Sequence, residues 1–180
     1  GWPKSRSMIA PILQTDRLTL RAHRAGDYDA LKALWGDAAV VRHIGGHPQD
    51  AQTVWFRLLR YAGMWSLLGF GMWAVEDRAT GAYLGDAGLM DARRGLTELD
   101  GVIEAGWAFA PAAWGQGVAS EAMAAVLAWA DAHRPGEAVR CIIEPGNGAS
   151  IRVAERLGFR PFAEAAFGGA PIRVMERRAD

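Results

Sequence analysis

Residues 104–122 read EAGWAFAPAAWGQGVASEA, and they decide the fold. A strand running through about residues 101–109 is stopped by Pro111. A short loop then carries Gly115 and Gly117, and an alanine-rich helix follows, GVASEAMAAVLAWADAH, ending before Pro135 and Gly136. A helix N-terminus presents orphan N–H groups and a partial positive charge. Glycines beside it let an anion reach the backbone with no Cβ in the way. The stretch from Gly115 through Ser120 is therefore a candidate phosphate or pyrophosphate cradle, or else a turn that needs glycine only for its geometry.

Outward from this centre the pattern alternates between strands and helices. On the N-terminal side, residues 17–22 (RLTLRA) alternate like a half-buried strand. DYDALKALWG reads as a short helix with Asp27 as N-cap and Leu31, Leu34 and Trp35 on one side. HIGGHPQD is a loop whose Pro48 is placed to open a second helix. That helix carries Val54, Leu58, Tyr61 and Trp65 on one face. FGMWAVED and AYLGDAGLMD form a hairpin around a turn ending in Gly81. On the C-terminal side come a buried strand, AVRCIIE, a helix through ASIRVAERLG ending at Gly158, and two closing strands around Gly168 and Gly169. The expected order is β-α-α-β-β-β-α-β-α-β-β, a mixed sheet covered by helices in an α/β or α+β fold.

The chain has 180 residues, 20 Lys+Arg against 20 Asp+Glu, and a hydrophobic fraction of 51%. Such composition excludes wholesale disorder and predicts one domain over residues 1–180. A zero formal charge argues against nucleic acid or a membrane surface as partner. The single cysteine, Cys141, excludes an internal disulfide framework and suits the cytoplasm. No apolar run has the length of a membrane span. Residues 1–8 are set aside as a tag remnant or disordered segment, because Met8 is a natural start.

Two nucleotide-site alternatives fit less well. The NTPase phosphate loop needs Gly-Lys-Ser/Thr, but Val118 follows Gly117. The dinucleotide fingerprint needs a third glycine where Ser120 stands. A second constellation, Asn147-Gly-Ala-Ser150, opens the next helix, and helix capping alone explains both polar residues.

Three landmarks, LQTDRLTLR, EAGWAFAPAAWGQGVASEA and NGASIRVAERLGF, occur in the order found in one family. From Leu13 to about Phe162 the chain resembles the GCN5-related N-acetyltransferase (GNAT) superfamily. It is most similar to the branch that acetylates the N-termini of ribosomal proteins. The resemblance implies a mostly antiparallel sheet whose fourth and fifth strands splay apart, flanked by about four helices. Acyl-coenzyme A would lie between the splayed strands, with acetyl-CoA as donor. It implies coenzyme contacts at Phe109, Trp114, Gly115, Gln116, Gly117, Val118, Ala119 and Ser120, with Asn147 near the pantetheine arm. Trp114 stands where the superfamily usually has Gln or Arg, and Ala119 replaces a glycine. Many relatives carry a tyrosine acid where this chain has Ala154, so Ser150 inherits that role.

The acceptor implied is a primary amine on a small molecule or a protein N-terminus, with the enzyme a monomer or homodimer. Attack on a thioester needs a neutral amine, and an α-amino group with pKa ~8 is about one-tenth neutral at pH 7. Glu104 is the candidate base: apolar neighbours in VIEAGW would bury it and raise its pKa. The four histidines show no metal-ligand spacing, so no metal is expected. His43 and His47 flank the glycine loop that lines the acceptor site in relatives, and Trp73 is a candidate pocket aromatic. Cys141 reads as a core residue. Two rival readings stand beside this one: an antibiotic or polyamine acetyltransferase, and a catalytically silent acyl-CoA-binding module.

Overall fold

The structure, a computed structural model, describes residues 9–179. The segment set aside as a tag remnant lies outside the described residues, apart from which the chain threads one eight-stranded sheet. Its elements in chain order are β1 (Leu13–Gln14), β2 (Leu18–Arg21), α1 (Tyr28–Trp35), α2 (Ala38–Val41), α3 (Ala51–Leu68), β3 (Met72–Asp77), β4 (Tyr83–Met90), β5 (Ile103–Phe109), α4 (Val118–His133), β6 (Val139–Ile143), α5 (Gly148–Arg156), β7 (Arg160–Phe167) and β8 (Ala170–Arg177). The spatial order is β1-β2-β3-β4-β5-β6-β8-β7. Every neighbouring pair is antiparallel except β5 with β6. The mixed, mostly antiparallel sheet expected from the sequence is thus present. Two short elements, β1 and α2, escaped the sequence reading because neither is long enough to show a period. With α2 the described residues form five α-helices, against the about four expected.

Two local expectations change. Pro48 does not open α3. Asp50 is its N-cap, and its carboxylate accepts from the Thr53 N–H at 2.8 Å. Asp27 does precede α1, but its carboxylate does not cap it. Arg21 takes both oxygens at 2.8 and 2.9 Å, and the Arg24 N–H takes one again at 2.9 Å. A buried carboxylate beside a guanidinium gains more from that charge-assisted pair than from a helix end.

Side-chain parity divides the sheet into two faces. Trp73 and Val75 of β3, Ala87 and Leu89 of β4, and Ile103, Ala105 and Phe109 of β5 pack with α4 and α5 in the larger core. Met72, Met90 and Ala108 take the other parity and pack beneath α1, α2 and α3. At the edge of the larger core Trp65, Trp73 and Trp129 meet edge-to-face, with centroids 4.6 to 5.5 Å apart. No helix among the described residues is long and apolar enough to cross a membrane.

Candidate functional site

The parallel pairing of β5 with β6 covers only Ile103–Val139 and Glu104–Arg140. Beyond that vertex the two strands part, and the opening widens toward Phe109 and Ile143. The hydrogen bond from the Ala110 N–H to the Leu84 carbonyl, 2.9 Å, fixes the phase of the β4–β5 ladder. By the antiparallel alternation, Ala105, Trp107 and Phe109 then aim their amide groups into the opening. The Phe109 carbonyl accepts from Trp114 Nε1 at 2.7 Å, which seats the half-exposed indole at the mouth.

The glycine loop follows. Gly115 and Gly117 have φ of 70° and 74°, the left-handed region that other residues enter at a cost. Gly117 occupies the N-cap of α4 and has no side chain to cap it. The first N–H groups of α4, from Val118, Ala119 and Ser120, are left for a ligand. A Cβ on Gly115 would meet nothing within 4 Å, and one on Gly117 only Arg17 Nη2 at 3.5 Å. The loop is an open concavity of backbone donors. The Ser120 hydroxyl is buried with no hydrogen-bond partner in the described residues.

A clamp holds this loop, and the sequence reading missed it. Arg17 Nε donates to Glu121 at 2.7 Å, its Nη1 donates to the Gln116 carbonyl at 2.8 Å, and Thr15 donates to the same carboxylate. Burial would raise the Glu121 carboxyl, but the bonds from Thr15 and Arg17 hold it below the usual range. The quoted motif LQTDRLTLR contains Thr15 and Arg17, so the signal was in view without its partner.

On the other limb, Asn147 caps α5: its Oδ1 accepts from the Ser150 N–H at 3.2 Å. Ser150 is capped through its backbone and its hydroxyl is not the cap. Ala154 is fully buried in the larger core. His43 Nδ1 lies 3.4 Å from Glu144 Oε1 where the chain leaves β6, whereas His47 is exposed on the loop.

Glu104 sits at the vertex with the parity of the second face, 3% exposed. Arg94 grips both its oxygens, at 2.9 and 3.1 Å. Burial raises the carboxyl and Arg94 opposes that rise; the net direction is up. A cavity of about 450 Å³ opens beside it, lined by Arg94, Leu96, Leu99, Asp100 and Val102 among others. Further along this face Asp86 is buried, accepts from Trp35 Nε1 at 3.0 Å, and is pushed up by burial to about 6. His23 is pushed down by burial to about 4.

The structure thus brings Phe109, Trp114, Gly115 to Ser120 and Asn147 around one opening, with Glu104 at its vertex and His43 near its far limb. It does not bring Trp73 there. That indole is fully buried on the opposite face, donating to the Pro11 carbonyl at 2.8 Å. Cys141 is a buried core residue whose thiol burial pushes up. No cluster of three or more metal-binding side chains occurs among the described residues.

Residues 17–160 match the acetyltransferase (GNAT) domain family. The chain is 33% identical over 173 residues to the uncharacterised protein YkkB of Bacillus subtilis (strain 168), covering 93% of this chain and 95% of that protein. A structure from Bordetella pertussis assigned to the GnaT acetyltransferase family is similar at TM-score 0.82 and 35% identity, covering 93% of this chain and 99% of that one. A more distant structure shares the fold alone, at TM-score 0.76 and 16% identity, covering 94% and 100% of the two chains. It is the Salmonella typhimurium acetyltransferase that modifies the N-terminal serine of the 50S ribosomal subunit protein L7/L12.

Proposed function

The chain belongs to the GNAT acetyltransferase family, and from that premise we propose that it moves an acetyl group from acetyl-CoA to a primary amine, as on a peptide N-terminus or a small molecule. The observation that carries the reading is the two-pair ladder between β5 and β6, which leaves a row of amide groups facing an opening. The glycine loop continues that row. Backbone donors at the start of α4 suit the coenzyme's pyrophosphate, and the edge of β5 suits its amide-bearing pantetheine arm.

In the proposed reaction the amine nitrogen attacks the thioester carbonyl, a C–N bond forms, the C–S bond breaks, and the thiolate leaves. Glu104 receives the amine's proton, directly or through water. Burial raises its pKa, which makes the carboxylate a stronger base than an exposed one. The Arg94 guanidinium favours its ionised form. Ser150 is the hydroxyl assigned to proton return on the thiolate, and its freedom from capping supports that assignment. A thiolate is a good leaving group, so the demand on this acid is small.

Calorimetric titration with CoA tests the donor site, using the wild type and Gly117→Val. A β-branched residue at φ 74° is strained and projects a side chain into the concavity. The expected result is tight binding by the wild type and an affinity at least about tenfold weaker in the variant, ~1.4 kcal/mol. A folded variant with unchanged affinity would remove the pyrophosphate assignment. Acetyl-CoA consumption across peptides, amino acids, polyamines and aminoglycosides then separates the acceptor classes. Binding without turnover anywhere would favour the silent module.

A further inference from the structure

The face that carries Glu104 holds positive charge that transfer to a bare amine does not require. Arg57 and Arg60 lie three residues apart on α3, and their guanidinium carbons stand 5.7 and 5.6 Å from the centroid of the Tyr61 ring. Arg57 is held by neutral partners only. It stacks 3.7 Å over the Trp35 ring, its Nε donates to Gln49 Oε1 at 3.1 Å, and its Nη1 donates to the Tyr61 hydroxyl at 2.9 Å. Arg60 is exposed. Neither guanidinium joins an ion pair among the described residues.

Asp86, on β4 under α3, is the buried carboxylate on which both arginines act. Glu104, a second buried carboxylate of this face, is already gripped by Arg94. Desolvation, with the neighbouring charges of Arg57 and Arg94, pushes the Arg60 guanidinium below the usual range. Among the described residues Arg57 and Arg60 therefore have no carboxylate in ion-pair contact, and Arg60 acts on Glu104 as well as on Asp86. Stacking on Trp35 fixes one of these forks in advance, which lowers the entropy lost when an anion binds.

Resting on the acetyl-transfer reading above, we propose that Arg57 and Arg60 form an anion-binding wall of the acceptor cleft, so that the preferred acceptor is a primary amine bearing a carboxylate rather than a polyamine. A planar carboxylate matches the guanidinium fork. The acceptor's carboxylate would engage Arg60 and the open side of Arg57 while its amine approaches Glu104. A free amino acid and a peptide with an acidic residue next to its N-terminus offer the same chemistry.

Steady-state acetylation of matched pairs tests this in the wild type and in Arg60→Gln. One pair is L-phenylalanine and L-phenylalaninamide, another is a Ser-Asp and a Ser-Asn peptide, and spermidine is the polycation. The two pairs separate the amino-acid source from the peptide source. An amide end group alters the amine's own basicity, so the readout is the carboxylate-over-amide ratio of kcat/KM and its change on substitution. That ratio is expected to fall about tenfold or more in Arg60→Gln with CoA affinity retained, since a charge-assisted bond is lost from one member of each pair. A ratio that Arg60→Gln does not alter overturns the proposal. So does spermidine outrunning every carboxylate-bearing amine, or no acetylation of any pair while CoA still binds. Failure of the wild type to bind CoA is a different result: it removes the donor reading and the wall with it.

Discussion

The two faces of the sheet are built on opposite principles. Under α4 the larger core is apolar almost throughout, with Trp65, Trp73 and Trp129 edge-to-face at its margin. Under α3 the smaller core encloses Asp86, His23, Tyr61 and Glu104, and burial pushes the Asp86 carboxyl up and the His23 imidazole down. Buried ionisable groups cost stability, while apolar burial supplies it. The α4 face thus holds the sheet together, and the α3 face carries buried charge at a cost in stability that the first face offsets.

Glu104→Gln gives the largest expected effect and separates the faces most clearly. If the second face does the chemistry, the rate constant falls ~10²–10⁴-fold while CoA affinity stays. The melting temperature falls as well, because Arg94 loses its counter-charge. A folded variant with an undiminished rate would remove Glu104 from the reaction. Trp129→Ala tests the opposite face. Loss of a large ring from the tryptophan cluster should cost about 3–5 kcal/mol, read by chemical denaturation. At temperatures where the variant stays folded, turnover should hold. A collapse of turnover without a loss of stability would break the division.

Asp86→Asn carries the smaller effect and the sharper sign. Asp86 rises from 3.8 to about 6 in the fold, so its contribution to stability is full below pH 3.8 and is lost as pH rises through about 6. His23 falls from 6.5 to about 4, so its contribution is present above pH 6.5 and is lost as pH falls through about 4. Over the same window the two slopes oppose each other, each worth about 3 kcal/mol, and from this pair the wild type should show a shallow dependence. Removing Asp86 leaves the His23 slope unopposed. Stability of Asp86→Asn should then climb with pH between about 4 and 6.5, measured by denaturant titration at several pH values. A variant as flat as the wild type would show that these groups do not titrate as a buried opposed pair.

What was legible in the sequence had its cause nearby. Gly115 and Gly117 announce the loop because positive φ is a property of single residues. Asn147 announces its cap because the N–H it accepts from lies three residues on. Glu104 could be picked out because it interrupts an apolar strand. The partners that make these groups work were hidden, since nothing local in RGLTELDGVIE says that Arg94 will fold back on Glu104. Trp73 was misplaced by one step of parity. Register pairs it with Ala87, and Ala87 with Trp107, so all three side chains lie on the α4 face. Glu104 pairs with Met90 and takes the other. The strand was readable, but its facing was settled only by its neighbours.

The Arg17 clamp has a consequence for how the molecule comes into being. Its bonds join residues 104 and 99 positions apart in the chain. Contacts of such separation form late, because the loop between them must close before they contribute anything. During synthesis the first strand therefore waits for about a hundred further residues before Glu121 exists to receive it. The glycine loop has its backbone conformation from its own residues, but its anchorage arrives only with the meeting of the chain's early and late segments. Anchorage of the loop is accordingly a property of the finished chain: a nascent fragment ending before α4 has Arg17 and the glycines without Glu121, and a fragment beginning after β2 has Glu121 and the glycines without Arg17.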